Sequence, residues 1–321
     1  MSLKRPDAEL TLDGRALSAA EAALESLRVH MSVSGAHDRF ACRLGFLSPF
    51  ADVEPGADAA VKLGFGDDLE TVLTGTVTTV ERSSSGLVVE GLAASGALSA
   101  SRVGRSYVGQ TVGDVVSDLV SVAGGTPGEV SASQELAAYH VDERRCVWAH
   151  VRQLARLTGS ELTSNSEGAV NFRPVKTGSA DYSLRYGADL VAWDVGPREP
   201  RGPAVSVVPF GAASEEGTDK WHLVLREPDG GSPSDPTLVP GALRDRDAAQ
   251  ALQDALAAAA SRGAKAGALV LAGESSIRAG DLVELTDMPS GEDGVLRTLT
   301  VAHVLARGGG FRTALTVEGA E

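Results

Sequence analysis

Apolar residues recur at every second position through most of this chain, and that period commits a segment to a strand with one buried face. In "SLRVHMSVSG" the residues Leu27, Val29, Met31 and Val33 share a face. His30 falls on the opposite face and is expected as an exposed strand histidine. "ELTLD" alternates likewise and runs into Asp13-Gly14, a dipeptide suited to a two-residue hairpin turn. "AAVKLGF", "ETVLTGTVTTVE" and "GLVVEGLA" continue the pattern, the last two parted by the turn-like "RSSSG". About the first hundred residues therefore read as an antiparallel β module.

The period then becomes helical. In "TVGDVVSDLVSVAGG" Thr111 and Asp114 form a capping box, Val112, Val115, Val116 and Leu119 make an apolar stripe, and Gly124-Gly125 ends it. A second helix is expected over 143–158, capped by Asp142, striped by Val147, Val151, Leu154 and Ala155, and closed by Gly159. "ELTSNSEGAVNFRP" reads as a short hairpin. Strands return in "YSLRYG", "PAVSVVPFG" and "WHLVLRE", followed by a Pro- and Gly-rich loop over 227–241. An Ala-rich helix over about 246–262 stops at Gly263, and "AGALVLAG", "DLVELTD", "VLRTLTVAHVLAR" and "FRTALTVEG" complete the chain as strands. The fold class is α+β, mainly antiparallel β: two barrel-like modules, residues 1–104 and 179–321, with a two-helix insert, 105–178, between them.

Charge and composition exclude several function classes. With 29 basic against 43 acidic residues, the net charge of −14 opposes the phosphate neutralisation on which nucleic-acid binding rests. Three Trp, four Tyr and seven Phe supply few stacking platforms for bases or sugars. The core must then be Val, Leu and Ala. Asp7 and Glu9 interrupt the position where a secretion signal needs an apolar run, and no stretch is long enough for a membrane helix. A cytoplasmic chain, or one that leaves the cell by another route, is expected. Cys42 and Cys146 are too few for a disulfide framework.

No reactive constellation emerges. Cys146 and His150 stand four apart on one helical face, but zinc needs three or four ligands, and His140 and Glu143 do not share that face. A half-buried Cys and a surface His are expected instead. There is no HExxH, CxxC or GxSxG, so His222 and His303 have no nucleophile to serve. Asp67-Asp68 and Glu292-Asp293 could in principle act as glycosidase pairs, yet both adjoin Gly in turn-like segments. "GFG" at 64–66 lacks the rest of a dinucleotide or phosphate loop. No catalytic, cofactor-binding or metal-binding residue, and no cofactor, is expected.

The order of the pieces resembles a known family. "SLRVHMSVSGAHDRFACRLGF", "GADAAVKLGFGDDLETVLTGTVTTVE", "RSYVGQTVGDVVSDLVSVAGG", "YHVDERRCVWAHVRQLARLTGSEL", "GAVNFRP", "IRAGDLVELTDMP" and "LRTLTVAHVLARGGGFRTALTVEG" are similar, in that order, to the late control protein D and VgrG hubs of contractile-tail baseplates. The resemblance implies a homotrimer whose two β modules per chain make a ring of six, matching a trimeric spike protein to a hexameric tail tube protein among other baseplate proteins. It brings no catalytic residues. It implies an acidic bore and a place in the baseplate of a phage tail, type VI secretion system or extracellular injection particle. VgrG chains continue into an OB-like domain and a needle, whereas this one stops at "TALTVEGAE", so the spike is expected as a separate chain. The loop at 227–241 is read as an attachment or assembly segment. The rival readings are a tail-associated cell-wall hydrolase using a carboxylate pair and a β-sandwich glycan-binding module.

Overall fold

The computed structural model describes residues 5–199, 205–210, 236–289 and 291–320. The expected strand WHLVLRE and most of the 227–241 loop lie outside the described residues, as does His222.

Alternating burial builds the N-terminal strands β1 (Pro6–Leu12), β2 (Arg15–Ser18), β3 (Leu24–Ser32), β4 (Arg39–Leu44), β5 (Asp58–Phe65), β6 (Asp68–Ser83) and β7 (Gly86–Ala93). After the short helix α1 (Ala97–Ala100) come β8 (Arg105–Thr111), α2 (Val112–Val122), β9 (Pro127–Val130), β10 (Glu135–Val141), α3 (Val147–Thr158), β11 (Ser160–Ser164) and β12 (Val170–Pro174). The C-terminal part contains β13 (Tyr182–Arg185), β14 (Leu190–Pro197), β15 (Ser206–Val207), β16 (Thr237–Leu238), α4 (Arg246–Gly263), β17 (Lys265–Ala272), β18 (Leu282–Thr286), β19 (Gly294–Ala306) and β20 (Gly310–Gly319).

The chain is mainly antiparallel β, as its alternation predicts. Thirteen strands form one sheet in the order β14-β17-β20-β19-β3-β4-β7-β6-β5-β1-β2, with β18 on β19 and β13 on β18. The N-terminal and C-terminal strands are joined in this sheet through β3 and β19, which pair antiparallel from Ser32–Thr300 to Ser26–Ala306. Their side chains fill one core, in which Val29, Leu44, Leu63, Val301 and Leu315 are fully or almost fully buried. Among the described residues the sheet does not close into a hydrogen-bonded barrel: its path stays open at β14 and β2.

The insert has its own core, made by α2, α3 and β12 through Val115, Val116, Leu119, Val151, Leu154 and Phe172. Thr111 caps α2 as expected, its Oγ1 accepting from Asp114 N at 3.1 Å. The expected start of α3 is corrected. Asp142 does not cap it: its carboxylate takes Arg144 N at 2.9 Å and makes a turn, so the helix begins at Val147 with Cys146 at its N-cap. Gly159 closes α3 in the left-handed conformation, φ 62°. Strands β8, β9 and β10 have no counterpart in the expected two-helix insert, because their mostly exposed residues carry no two-residue apolar pattern. The Ala-rich helix α4 is capped by Asp245, whose carboxylate takes Ala248 N at 2.7 Å.

Gly75 lies where β6 leaves β5 and continues along β7. A Cβ there would overlap the Leu92 carbonyl. Gly75→Ala is therefore expected to cost about 1–3 kcal/mol in urea unfolding. Gly263→Ala, in open space and without a positive φ, should leave stability unchanged or slightly higher.

Candidate functional site

Several of the buried polar side chains collect where residues 105–178 meet the large sheet. The first fastening is the β3–β4 connection. Val33 N bonds Leu299 O at 3.0 Å, and Ser34 pairs with Leu162 of β11 through Ser34 N to Leu162 O, 2.7 Å, and Leu162 N to Ser34 Oγ, 3.0 Å. Ser34 adopts φ 52°, the left-handed region that side chains other than glycine seldom occupy. His37 then inserts its ring between the hydroxyls of Ser95, 3.1 Å from Nδ1, and Ser99, bonded at Nε2, and packs on Trp148 of α3 at 4.2 Å between centroids. Asp38 binds back to the sheet: Oδ1 accepts from Ser32 N at 2.9 Å, and its carbonyl accepts from Ala93 N at 2.7 Å.

These groups titrate abnormally because they are out of water. Burial, helped by the charge of Arg152, pushes the His37 imidazolium down to about 4. Burial pushes the Asp38 carboxyl up to about 7, against the bond from Ser32 N and the charge of Arg278. In the middle of β19, His303 is fully buried; desolvation and Arg278 push it down to about 3.

The second fastening is a chain of alternating charge. Arg297 of β19 donates to Glu161 of β11 from Nη2 at 2.7 Å and from Nε at 3.0 Å, and from Nη1 to Glu318 of β20 at 2.6 Å. Arg262 of α4 reaches the same Glu318 oxygen at 3.4 Å. The Glu161 and Arg297 side chains are 2% and 4% exposed, so the pair works in a low-dielectric setting. Beside it, Leu157, Val239, Leu252, Leu256 and Leu299 line a groove of about 720 Å³ between α3, α4 and the sheet. The arrangement is suited to holding three bodies in fixed relation. Among the described residues no group of three or more His, Cys, Asp or Glu is placed to hold a metal ion.

The residues singled out from sequence do not meet here. Cys146 and His150 share α3, and Cys146 is half-buried as expected. His150 is not a surface residue but is buried, because its Nε2 bonds Asp142 O at 3.0 Å and its Nδ1 approaches Tyr139 Oη at 3.3 Å across the insert core. His140 is exposed and bonds Ser106 at 3.0 Å. His30, expected exposed, is half-buried on a central strand. Asp67 and Asp68 are exposed at the β5–β6 turn. Asp293 holds its own loop through Met288 N at 3.0 Å, beside Glu292. Cys42 and Cys146 are free thiols. Of the 227–241 loop, residues 236–241 are described, and Thr237 and Leu238 pair in parallel with Ser206 and Val207. Sequence reading missed His37, Asp38, Glu161, Arg262, Arg297 and Glu318. Its available signal was a charge inside an apolar strand run, as in "VLRTLTV" and "LTVEG".

No protein-family model matches the chain, and no curated protein matches it. Solved structures do. A tail protein from Neisseria meningitidis MC58 aligns over 98% of this chain and 96% of its own, with a TM-score of 0.75 and 15% identity. The 43 kDa tail protein of prophage MuSo2 from Shewanella oneidensis aligns over 98% of each chain, with a TM-score of 0.70 and 14% identity. The E. coli c3393 protein, a component of the type VI secretion system, aligns over 96% of this chain and 76% of its own, with a TM-score of 0.57 and 13% identity. At these identities the likeness establishes the fold.

Two outcomes test the junction. Neutral His37 and His303 stabilise the fold above the ordinary histidine range, and that contribution is lost as pH falls from about 6.5 toward their folded values, because the unfolded chain binds the protons first. Asp38 has the opposite sign: its folded form holds a proton up to about 7, so the fold loses stability as pH rises toward 7. Asp38→Asn should therefore raise the Tm at pH 8 and leave it unchanged near pH 4. Separately, Arg297→Ala leaves the buried Glu161 carboxylate without its cation, while Glu318 keeps Arg262, and should cost about 3–5 kcal/mol in chemical denaturation.

Proposed function

We propose that this chain is a structural, non-enzymatic baseplate hub of a contractile phage tail or injection system, acting as a homotrimer that joins a hexameric tail tube to a trimeric spike. One observation carries the reading. The strands β14-β17-β20-β19-β3-β4-β7-β6 are antiparallel throughout, and this run has a usable edge at each end. Among the described residues β14 pairs with β17 alone, and residues 78–83 of β6 pair with β7 alone. Because the run holds an even number of alternating strands, β14 of one copy meets β6 of the next antiparallel, the ladder a ring requires. Unpaired edges of this length are otherwise an aggregation hazard that monomers blunt with charge or proline. β14 reads "LVAWDVGP": Asp194 and Pro197 stand in its second half, while its first half is apolar, with Val191 55% exposed.

Within this reading residues 1–104 and 179–321 are the two ring modules and 105–178 the insert. The likeness to the tail proteins of N. meningitidis and the Shewanella prophage supports a place in a tail particle, and that to the type VI secretion component supports the injection-system form of the same reading. A net charge of −14 suits a bore through which cargo passes without sticking. The partners are the tube, the spike and other baseplate proteins, with no specific nucleic-acid contact. Among the described residues no helix is long and apolar enough to cross a membrane.

Light scattering of the purified chain, alone and with its spike protein, tests the trimer against a monomer of 33.0 kDa. Val191→Lys should shift the mass to the monomer without lowering the Tm of the monomer itself. A trimer that survives a charge at this edge sinks the seam.

A further inference from the structure

The groove between α3, α4 and the sheet plays no part in the ring. Its walls are apolar: Leu252 and Leu256 come from one face of α4, Leu157 from α3, and Leu238 and Val239, 44% and 47% exposed, from the segment before α4. Its volume of about 720 Å³ falls within the span of ligand-binding clefts, roughly 300–1,000 Å³.

The charges lining it do not cancel. Arg262 and Arg297 are matched by Glu161 and Glu318. Arg152 and Arg156 are not matched: they stand four apart on one face of α3, both line the groove, and among the described residues their guanidiniums make no hydrogen bond or ion pair. The Nε of Arg152 is also out of water, and a buried donor costs free energy until an acceptor reaches it. Arg156 lies in the last turn of α3, where the helix dipole by itself favours a cation. Arg152, one turn earlier, has no such reason to be there. In a chain of net charge −14, two unmatched guanidiniums beside an apolar groove are complementary to an anion with an apolar body.

The backbone selects what carries that anion. Leu238 belongs to β16, which pairs with β15 alone among the described residues, so one edge of β16 is left for a further strand. A polypeptide can use such an edge through main-chain hydrogen bonds, and a lipid tail cannot. From Leu252 to Arg262 the groove follows α4 for about 15 Å, the length of four or five extended residues. We infer that the groove receives an extended segment of a partner protein, its apolar side chains against Leu157, Leu252 and Leu256 and its acidic residue held by Arg152 and Arg156. The inference does not depend on the trimer.

The test uses the full chain and a displayed library of random heptapeptides as the probe. Peptides retained by the wild type should carry an acid next to at least two apolar residues. For the best of them, fluorescence anisotropy should show affinity falling at least about tenfold with Arg152→Gln/Arg156→Gln, and by a similar factor when its acids are replaced by amides, because charge-assisted hydrogen bonds are lost. Ala259→Trp, which adds bulk at an exposed position of the groove, should abolish binding while the Tm and the mass in solution stay as in the wild type. No enrichment, enrichment without acids, or an affinity unchanged by either variant overturns the inference. Binding of dodecanoate with no peptide retained assigns the groove to a lipid anion and overturns it as well.

Discussion

The pairing of β3 with β19 is the constraint on which the rest depends. It joins residues 26–32 to residues 300–306, across nearly the whole length of the chain. Without it the N-terminal and C-terminal strands would each present an open face, and the shared core that contains Val29 and Val301 would not exist. A contact of this sequence separation must overcome the loss of loop entropy before it contributes, so the packing of the shared core has to offset that cost. The insert is carried inside that closed loop, and its position follows from the closure.

β19 serves three partners, and its irregularity explains how. Its second half lies on β3, its first half on β18, and β20 runs beside both. The register shift between Thr298 and Thr300 lets the strand turn from one neighbour to the next. A bulge of this kind also re-aims side chains. Arg297, just before the shift, is buried between Glu161 and Glu318 in a strand otherwise patterned with Leu, Val and Thr. One guanidinium thus ties insert, sheet and, through Glu318, helix α4 into a unit. Such a network adds little net stability over an apolar packing, but it specifies one arrangement of the three bodies.

The same economy governs the β3–β4 connection. Four residues after Ser34, Asp38 returns the chain to the sheet, and in between His37 is neutral and bonded on both nitrogens. The insert is therefore held by hydrogen bonds at one corner and by ions at another, around its own apolar core.

Much of this was legible in the sequence. The period of two in Leu27, Val29 and Met31 gave β3 and its buried face, Thr111 with Asp114 gave the start of α2, and Gly159 gave the end of α3, because each depends on neighbours a few residues away. What was not legible shares a different physics. β8 and β10 are mostly solvated strands held by pairing with each other, so no apolar pattern marks them. His150 was expected at the surface and is buried, because its partners Asp142 and Tyr139 meet it only after the insert folds. Period fixes which face of a strand turns inward, but not which strand lies beside it. The sequence alone determined the strand-rich class, the three longer helices, the start of α2 and the end of α3. Tertiary structure alone decided the β3–β19 seam, the Glu161–Arg297–Glu318 chain and the two open edges, because each rests on groups brought together from distant parts of the chain.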